Sequence, residues 1–226
     1  MTKRIFITAT NTDIGKTYTT LQLLDAYTKM GYRVGVYKPI ETGVNGLPAD
    51  GSLLLKHASA LNPALKSLKV GDIVSMALPL PAAPYVANKA KKIDLNVFDK
   101  ALEKIEKLCD IVIIEGAGGL MVPLDEELMM IDLARHFGAI TLLVTHCRLG
   151  CINDTLLSLG MLKQLEIPHL WTFNCHQNDD SFNHTSFPYF KKYFEPLYFL
   201  GHNTPALAQA LLDKIYLNNK ESTCDI

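Results

Sequence analysis

Residues 4–17 read Arg4-Ile5-Phe6-Ile7-Thr8-Ala9-Thr10-Asn11-Thr12-Asp13-Ile14-Gly15-Lys16-Thr17, an apolar strand that runs into a tight turn and then a helix start. The Gly-Lys-Thr ending carries the chemistry. Gly15 lets the backbone wrap closely round an anion, Lys16 reaches outer phosphates, and the Thr17 hydroxyl is suited to ligate Mg²⁺. The usual motif G-x-x-x-x-G-K-[ST] opens on a glycine that is absent here: counted back from Gly15 that place is Thr10, with Ala9 just before it. A residue other than glycine is tolerable wherever the backbone keeps a negative φ.

Outward from this turn, strand and helix patterns alternate. Lys16–Met30 has apolar Leu21, Leu24, Tyr27 and Met30 near helical spacing and ends at Gly31. Arg33–Lys38 reads as a strand stopped by Pro39, residues 43–51 as loop, and Ser52–Leu61 as helix. Val70–Met76 is expected as a short strand, and three prolines bar Leu78–Pro84 from a regular interior element. Asp94 caps a helix reaching Cys109, and Asp110–Ile114 is apolar on successive residues, as buried parallel strands are. A short helix at Met130–Phe137 precedes strand Ala139–Thr145, helix Ile152–Leu165 and strand His169–Phe173. Asn174–Ser186 reads as polar loop holding His176 and His184, Leu197–Leu200 as a late strand, and Thr204-Pro205 as the opening of a last helix. The expectation is an α/β fold: one parallel twisted sheet with helices on both faces, a P-loop NTPase-like domain over residues 1–217, and a frayed tail over 218–226.

Composition narrows the partners. A net charge of -1 argues against nucleic acid and against a polybasic membrane anchor. The chain enters a strand directly after Met1-Thr2-Lys3, and no apolar run approaches the ~18 residues of a membrane span. A cytoplasmic protein is expected. The five cysteines (Cys109, Cys147, Cys151, Cys175 and Cys224) are scattered without a C-x-x-C pair and read as free thiols. Cys147, Cys151 and the nearby His146 match none of the usual zinc spacings.

Ligands of parallel sheets bind at the carboxyl ends of strands, and three polar clusters fall there. Lys38, followed by Pro39, offers an ammonium to a phosphate or a carbamate. Glu115 closes a wholly apolar strand, which is costly without a partner; a metal ion beside a phosphate loop supplies one. Gly116, Ala117, Gly118 and Gly119 then let the backbone run close to a ligand. Arg148-Leu149-Gly150-Cys151-Ile152-Asn153 enters a helix whose first N–H groups suit a carboxylate.

Together, Ala9–Thr17, Tyr37-Lys38-Pro39, Glu115–Gly119, Leu149–Asn153 and Asn174 resemble the dethiobiotin synthetases, and Pro81–Ala87 is similar to that family's substrate loop. The resemblance implies ATP-dependent carboxylation and ring closure of 7,8-diaminononanoate with CO₂. In such enzymes a carbamate forms on one amine and attacks the γ-phosphorus, and the second amine then closes the ureido ring and expels phosphate. It implies Lys16 and Lys38 as catalytic residues, and Thr12, Asp13, Ile14, Gly15, Lys16 and Thr17 round the triphosphate. Tyr18, Gly116, Ala117, Gly118 and Asn174 complete the nucleotide site, while Thr17, Asp50 and Glu115 hold Mg²⁺ directly or through water. Lys38 stands between carbamate and γ-phosphate, and Thr42 and Pro84 touch the substrate. The backbone of Gly150, Cys151, Ile152 and Asn153 takes the substrate carboxylate from a neighbouring subunit, which makes the active unit a homodimer.

Departures from the family pattern are local. Asp13 stands where glutamate is frequent and Thr42 where serine is frequent, and both keep the functional group. The segment Gly201–Pro205 differs from the usual base-contacting stretch, so weak preference for adenine is expected. Septum-positioning and plasmid-partition ATPases share the expected fold, but they carry an extra lysine early in the loop, where this chain has Asn11. An amidating ligase of the cobyrinate type would need an ammonia source as well.

Overall fold

The structure, a computed structural model, describes residues 2–175 and 181–221. Five strands form the main sheet: β1 (Lys3–Ala9), β2 (Val34–Tyr37), β5 (Ile111–Gly119), β6 (Ile140–His146) and β7 (His169–Asn174). They lie in the order β2-β5-β1-β6-β7, all parallel. Two short strands, β3 (Ile40–Thr42) and β4 (Met76–Leu78), pair in parallel as a separate ribbon. The helices are α1 (Lys16–Lys29), α2 (Ala49–Leu61), α3 (Val70–Ile73), α4 (Pro84–Ala87), α5 (Leu95–Glu106), α6 (Met130–His136), α7 (Cys151–Gln164), α8 (Phe182–Thr185), α9 (Phe187–Tyr193) and α10 (Thr204–Glu221).

Ile5, Phe6 and Ile7 are all fully buried, as are Ile111, Val112, Ile113 and Ile114. Successive strand residues point to opposite faces, so both faces of the sheet are covered. Each such side chain contributes about 1.5–3 kcal/mol, which makes β1 and β5 a stiff floor under the loops they carry.

The register between those strands matters for the site. Ile7 pairs with Glu115, and the next pair is Ala9 with Gly119, so two steps along β1 face four along β5. The surplus residues bulge out over the phosphate loop. Glu115 therefore lies within a continuing strand rather than at its end. A side chain at Gly119 would press on the carbonyls of Ala9 and Thr10, so the close approach requires glycine there.

Several sequence expectations are corrected. Val70–Met76 is not a strand: Asp72 accepts the Lys69 N–H at 2.7 Å and starts the helical turn α3, after which β4 begins. Helix α2 starts at Ala49, inside the expected loop. Leu197–Leu200 lies beside β7 but makes a single bridge, Phe173 to Phe199, rather than a strand: Asn203 accepts the Phe199 N–H at 2.6 Å and donates to the Leu197 carbonyl at 3.1 Å, which turns the segment into α10. In the expected polar loop Asn174–Ser186, residues 182–185 form α8 and bury Phe182, and His184 lies on that turn. His176 lies outside the described residues. The last helix continues to Glu221, four residues into the expected tail, and Ser222–Ile226 lie outside the described residues. Cys147 and Cys175 are not free thiols but form a disulfide. They follow His146 and Asn174, a paired position at the ends of adjacent strands, so the sheet brings them together across a sequence separation of 28. Cys109 and Cys151 are free and buried. No described helix is long and apolar enough to cross a membrane.

Candidate functional site

The phosphate loop has the geometry its sequence implied. Gly15 adopts φ +96°, and a side chain there would run into the Asn174 amide. Asp13 also takes a positive φ, +58°. Neither Ala9, which ends β1, nor Thr10 after it takes a positive φ, so no glycine is needed at either place. Lys16 folds back over the loop with Nζ 3.4 Å from the Asn11 carbonyl. It is only 8% exposed. Burial and then the nearby Lys38 ammonium pull its pKa down to about 8, against the opposing pull of Glu115, Asp13 and Asp50.

Glu115 is the hub. Its Oε1 accepts the Thr17 hydroxyl at 2.9 Å and the Lys38 ammonium at 2.7 Å, and its Oε2 accepts the Thr20 hydroxyl at 2.7 Å. Lys38 also pairs with Asp50 Oδ2 at 3.2 Å. Burial alone would lower the Lys38 pKa, but the Glu115 and Asp50 carboxylates outweigh it and the net shift is upward. Lys38 thus stays charged while Lys16 titrates much nearer neutrality.

Asp50 reaches this cluster through Glu41. Helix α2 has Pro48 at its N-cap and no side-chain cap of its own. Glu41, in β3, supplies one: its carboxylate accepts the N–H of Asp50 at 3.0 Å and of Gly51 at 2.8 Å. The same contact explains the early start of α2 and aims Asp50 at Lys38.

A cavity of about 740 Å³ opens above these groups. It is lined by Thr12, Asp13, Gly15, Lys16, Thr17, Lys38, Thr42, Asp50, Pro84, Glu115, Ala117 and Gly118, so most sequence-derived candidates meet at one place. Ile14, Tyr18, Gly116 and Asn174 do not line it. Ile14 is buried beneath the loop, and Asn174 donates from Nδ2 to the Ile14 carbonyl at 2.8 Å. Gly116 packs under the bulge against Phe6, Ile7 and Met130. Gly150, Cys151, Ile152 and Asn153 also lie off the cavity, at the start of α7. Cys151 is fully buried there.

Among the described residues, no group of three or more His, Cys, Asp or Glu side chains is arranged to hold a metal ion. A Mg²⁺ ion beside a triphosphate needs fewer protein ligands, because phosphate oxygens and waters complete its octahedron. The Thr17 hydroxyl and the Asp50 and Glu115 carboxylates are hard oxygen donors converging on one point beside Lys38 and fit that ion.

Sequence reading missed Thr20, Glu41 and the Cys147–Cys175 pairing. Thr20 was detectable in principle, since it lies three residues after Thr17 on the same helix face. Glu41 had no such signal, because its partners are set by the return of α2.

A family model described as an AAA domain (AAA_26) matches residues 3–201. The chain is 45% identical to the ATP-dependent dethiobiotin synthetase BioD of Sulfurovum sp. (strain NBC37-1) over 190 residues, 84% of this chain and 90% of the relative. It is 38% identical to the protein of the same name from Wolinella succinogenes over 216 residues, 94% of this chain and all of the relative. Among solved structures, a plasmid partition protein from Borrelia burgdorferi superposes with a TM-score of 0.55 at 11% identity, covering 96% of this chain and 99% of the other. That likeness concerns the fold alone.

Proposed function

Because the chain belongs to the ATP-dependent dethiobiotin synthetases, it is an ATP-dependent carbon–nitrogen ligase of biotin biosynthesis, and we propose that the cavity above Glu115 is where the ureido ring is closed. The observation that carries this assignment is the convergence of Lys16, Thr17, Lys38, Asp50 and Glu115 on one cavity from four separate segments.

In this reading the Thr12–Thr17 turn grips the triphosphate with backbone N–H groups, and Lys16 neutralises its outer oxygens. Thr17, Asp50 and Glu115 would hold Mg²⁺, which when bound would supply charge neutralisation at the transferring phosphoryl group. Lys38 sits between the carbamate and the γ-phosphate. A charged lysine there draws two anions together, which is the main obstacle to attack of a carbamate oxygen on phosphorus. Thr42 and Pro84, which also line the cavity, orient the diamine. No covalent nucleophile is required, since the substrate's own amine closes the ring.

The active unit is a homodimer in the same reading, with residues 150–153 of one subunit completing the cavity of the other. That none of them lines the cavity of their own chain supports this. So does the exposed apolar surface beside them, where Leu149 is 79% and Leu157 68% exposed. A cytoplasmic setting belongs to the same proposal.

The test is incubation of the protein with 7,8-diaminononanoate, bicarbonate, Mg²⁺ and ATP, with mass detection of dethiobiotin. Light scattering reports the dimer. Folded protein that turns over no diamine overturns the assignment, and a monomer that turns it over normally overturns the shared site.

A further inference from the structure

The turn between β6 and α7 is held by a side chain that the reaction as described above does not use. His146, the last residue of β6, is only 9% exposed. Its Nδ1 accepts the Arg148 N–H at 3.2 Å, and its Nε2 lies 3.1 Å from Asp154 Oδ2. An acceptor at Nδ1 puts the single ring proton on Nε2, so the neutral imidazole donates to the Asp154 carboxylate. One ring thereby ties both ends of the turn: its entry at Arg148 and its exit in the first turn of α7. Asp154 Oδ1 in turn accepts from Asn153 Nδ2 at 3.3 Å. Gly150, at φ +96°, is the N-cap of α7 and offers no side-chain cap, so the helix start has no closer device of its own.

We propose that His146 is a positioning residue for the substrate carboxylate, acting through the backbone N–H groups of residues 150–153. The inference rests on the reading of that turn as the carboxylate site. The Cys151 N–H is taken by the Arg148 carbonyl at 3.1 Å, which leaves those of Gly150, Ile152 and Asn153 for a ligand, and they bind a carboxylate only when their spacing matches its two oxygens. Misplacement by about 1 Å costs up to ~100-fold. Without the imidazole, Arg148 and Asp154 lose their common anchor, and the exposed residues 148–150 keep only the backbone bond from the Cys151 N–H to the Arg148 carbonyl.

The experiment compares kcat/KM for 7,8-diaminononanoate with kcat/KM for 2,3-diaminononane, the same diamine with a methyl group in place of the carboxylate. Wild type should prefer the acid by more than about tenfold, and His146→Ala should reduce that preference about tenfold. The loss should appear as a raised KM for the acid, with KM for ATP unchanged. His146→Gln, whose amide retains a donor for Asp154, should recover part of it. If wild type does not distinguish the two diamines, the carboxylate reading of residues 150–153 fails, and this inference with it. If wild type distinguishes them and folded His146→Ala does so equally well, only the role of His146 is overturned. Should His146→Ala not fold, Asp154→Ala removes the exit tie alone and is read on the same ratio, with an unchanged preference counting against the proposal.

Discussion

Raising the pH from 7 to 9.5 should weaken nucleotide binding through Lys16. Burial, reinforced by Lys38, sets the Lys16 pKa at about 8 instead of 10.5. The side chain is then about nine-tenths ammonium at pH 7 and about 3% at pH 9.5. In the limit where only the ammonium form grips the phosphates, affinity for Mg²⁺ with a non-hydrolysable ATP analogue falls about 30-fold, or ~2 kcal/mol. The ligand adds little to this slope above pH 8, because its terminal phosphate, with a pKa of about 6, is already ionised. Lys38 adds none, since its shift is upward. Calorimetry at pH 8 in two buffers of different ionisation enthalpy should register uptake of about half a proton on binding. Stability of the ligand-free protein should move the other way. A lysine whose folded pKa lies below its unfolded value resists folding while it is charged. The penalty is therefore full below pH 8, about 3 kcal/mol, and is relieved as pH rises from 8 towards the unfolded value of about 10.5. Lys16→Arg, charged throughout, should flatten both profiles. Equal affinity at pH 7 and 9.5 with no proton uptake would refute the argument.

Four further outcomes follow from the same geometry. Lys38→Ala should abolish turnover and also cost about 3–5 kcal/mol of stability, because the fully buried Glu115 keeps only two hydroxyl partners; a melting temperature within 2 °C of wild type would contradict this. Pairing Lys38→Met with Glu115→Gln should recover part of that loss without activity, measured as a coupling energy in a double-mutant cycle. Gly15→Ala forces a side chain into the Asn174 amide at a left-handed position, so nucleotide affinity should drop more than about tenfold by equilibrium titration. Competition of ATP, GTP and CTP should show a preference for ATP below about 100-fold, ~2.7 kcal/mol, because the Asn174 Nδ2 is already engaged by the Ile14 carbonyl.

Where residues act on near neighbours, the chain was legible before its fold was known. The strand–turn–helix at residues 3–29 and the buried run Ile111–Ile114 follow from local pattern, and both form as read. Asp94 caps α5 by accepting the Asn96 N–H at 3.0 Å, a contact two residues long. The misread segments share the opposite property. Val70–Met76 divides between α3 and β4 because β4 needs β3 beside it, and β3 is only three residues long. Leu197–Leu200 has strand chemistry but makes only one bridge, against Phe173.

The site divides along the same line. Motif spacing marked the Gly-Lys-Thr turn, the two lysines and the carboxylate that follows the apolar run Ile111–Ile114, because each is set off by its immediate neighbours in the chain. That Asp50 meets Lys38, that Glu41 holds it there, that Thr20 completes the shell of Glu115, and that Cys147 bonds Cys175 all depend on contacts between segments far apart in the chain. Such contacts leave no periodicity in the sequence. They exist only once parallel strands set their carboxyl ends side by side.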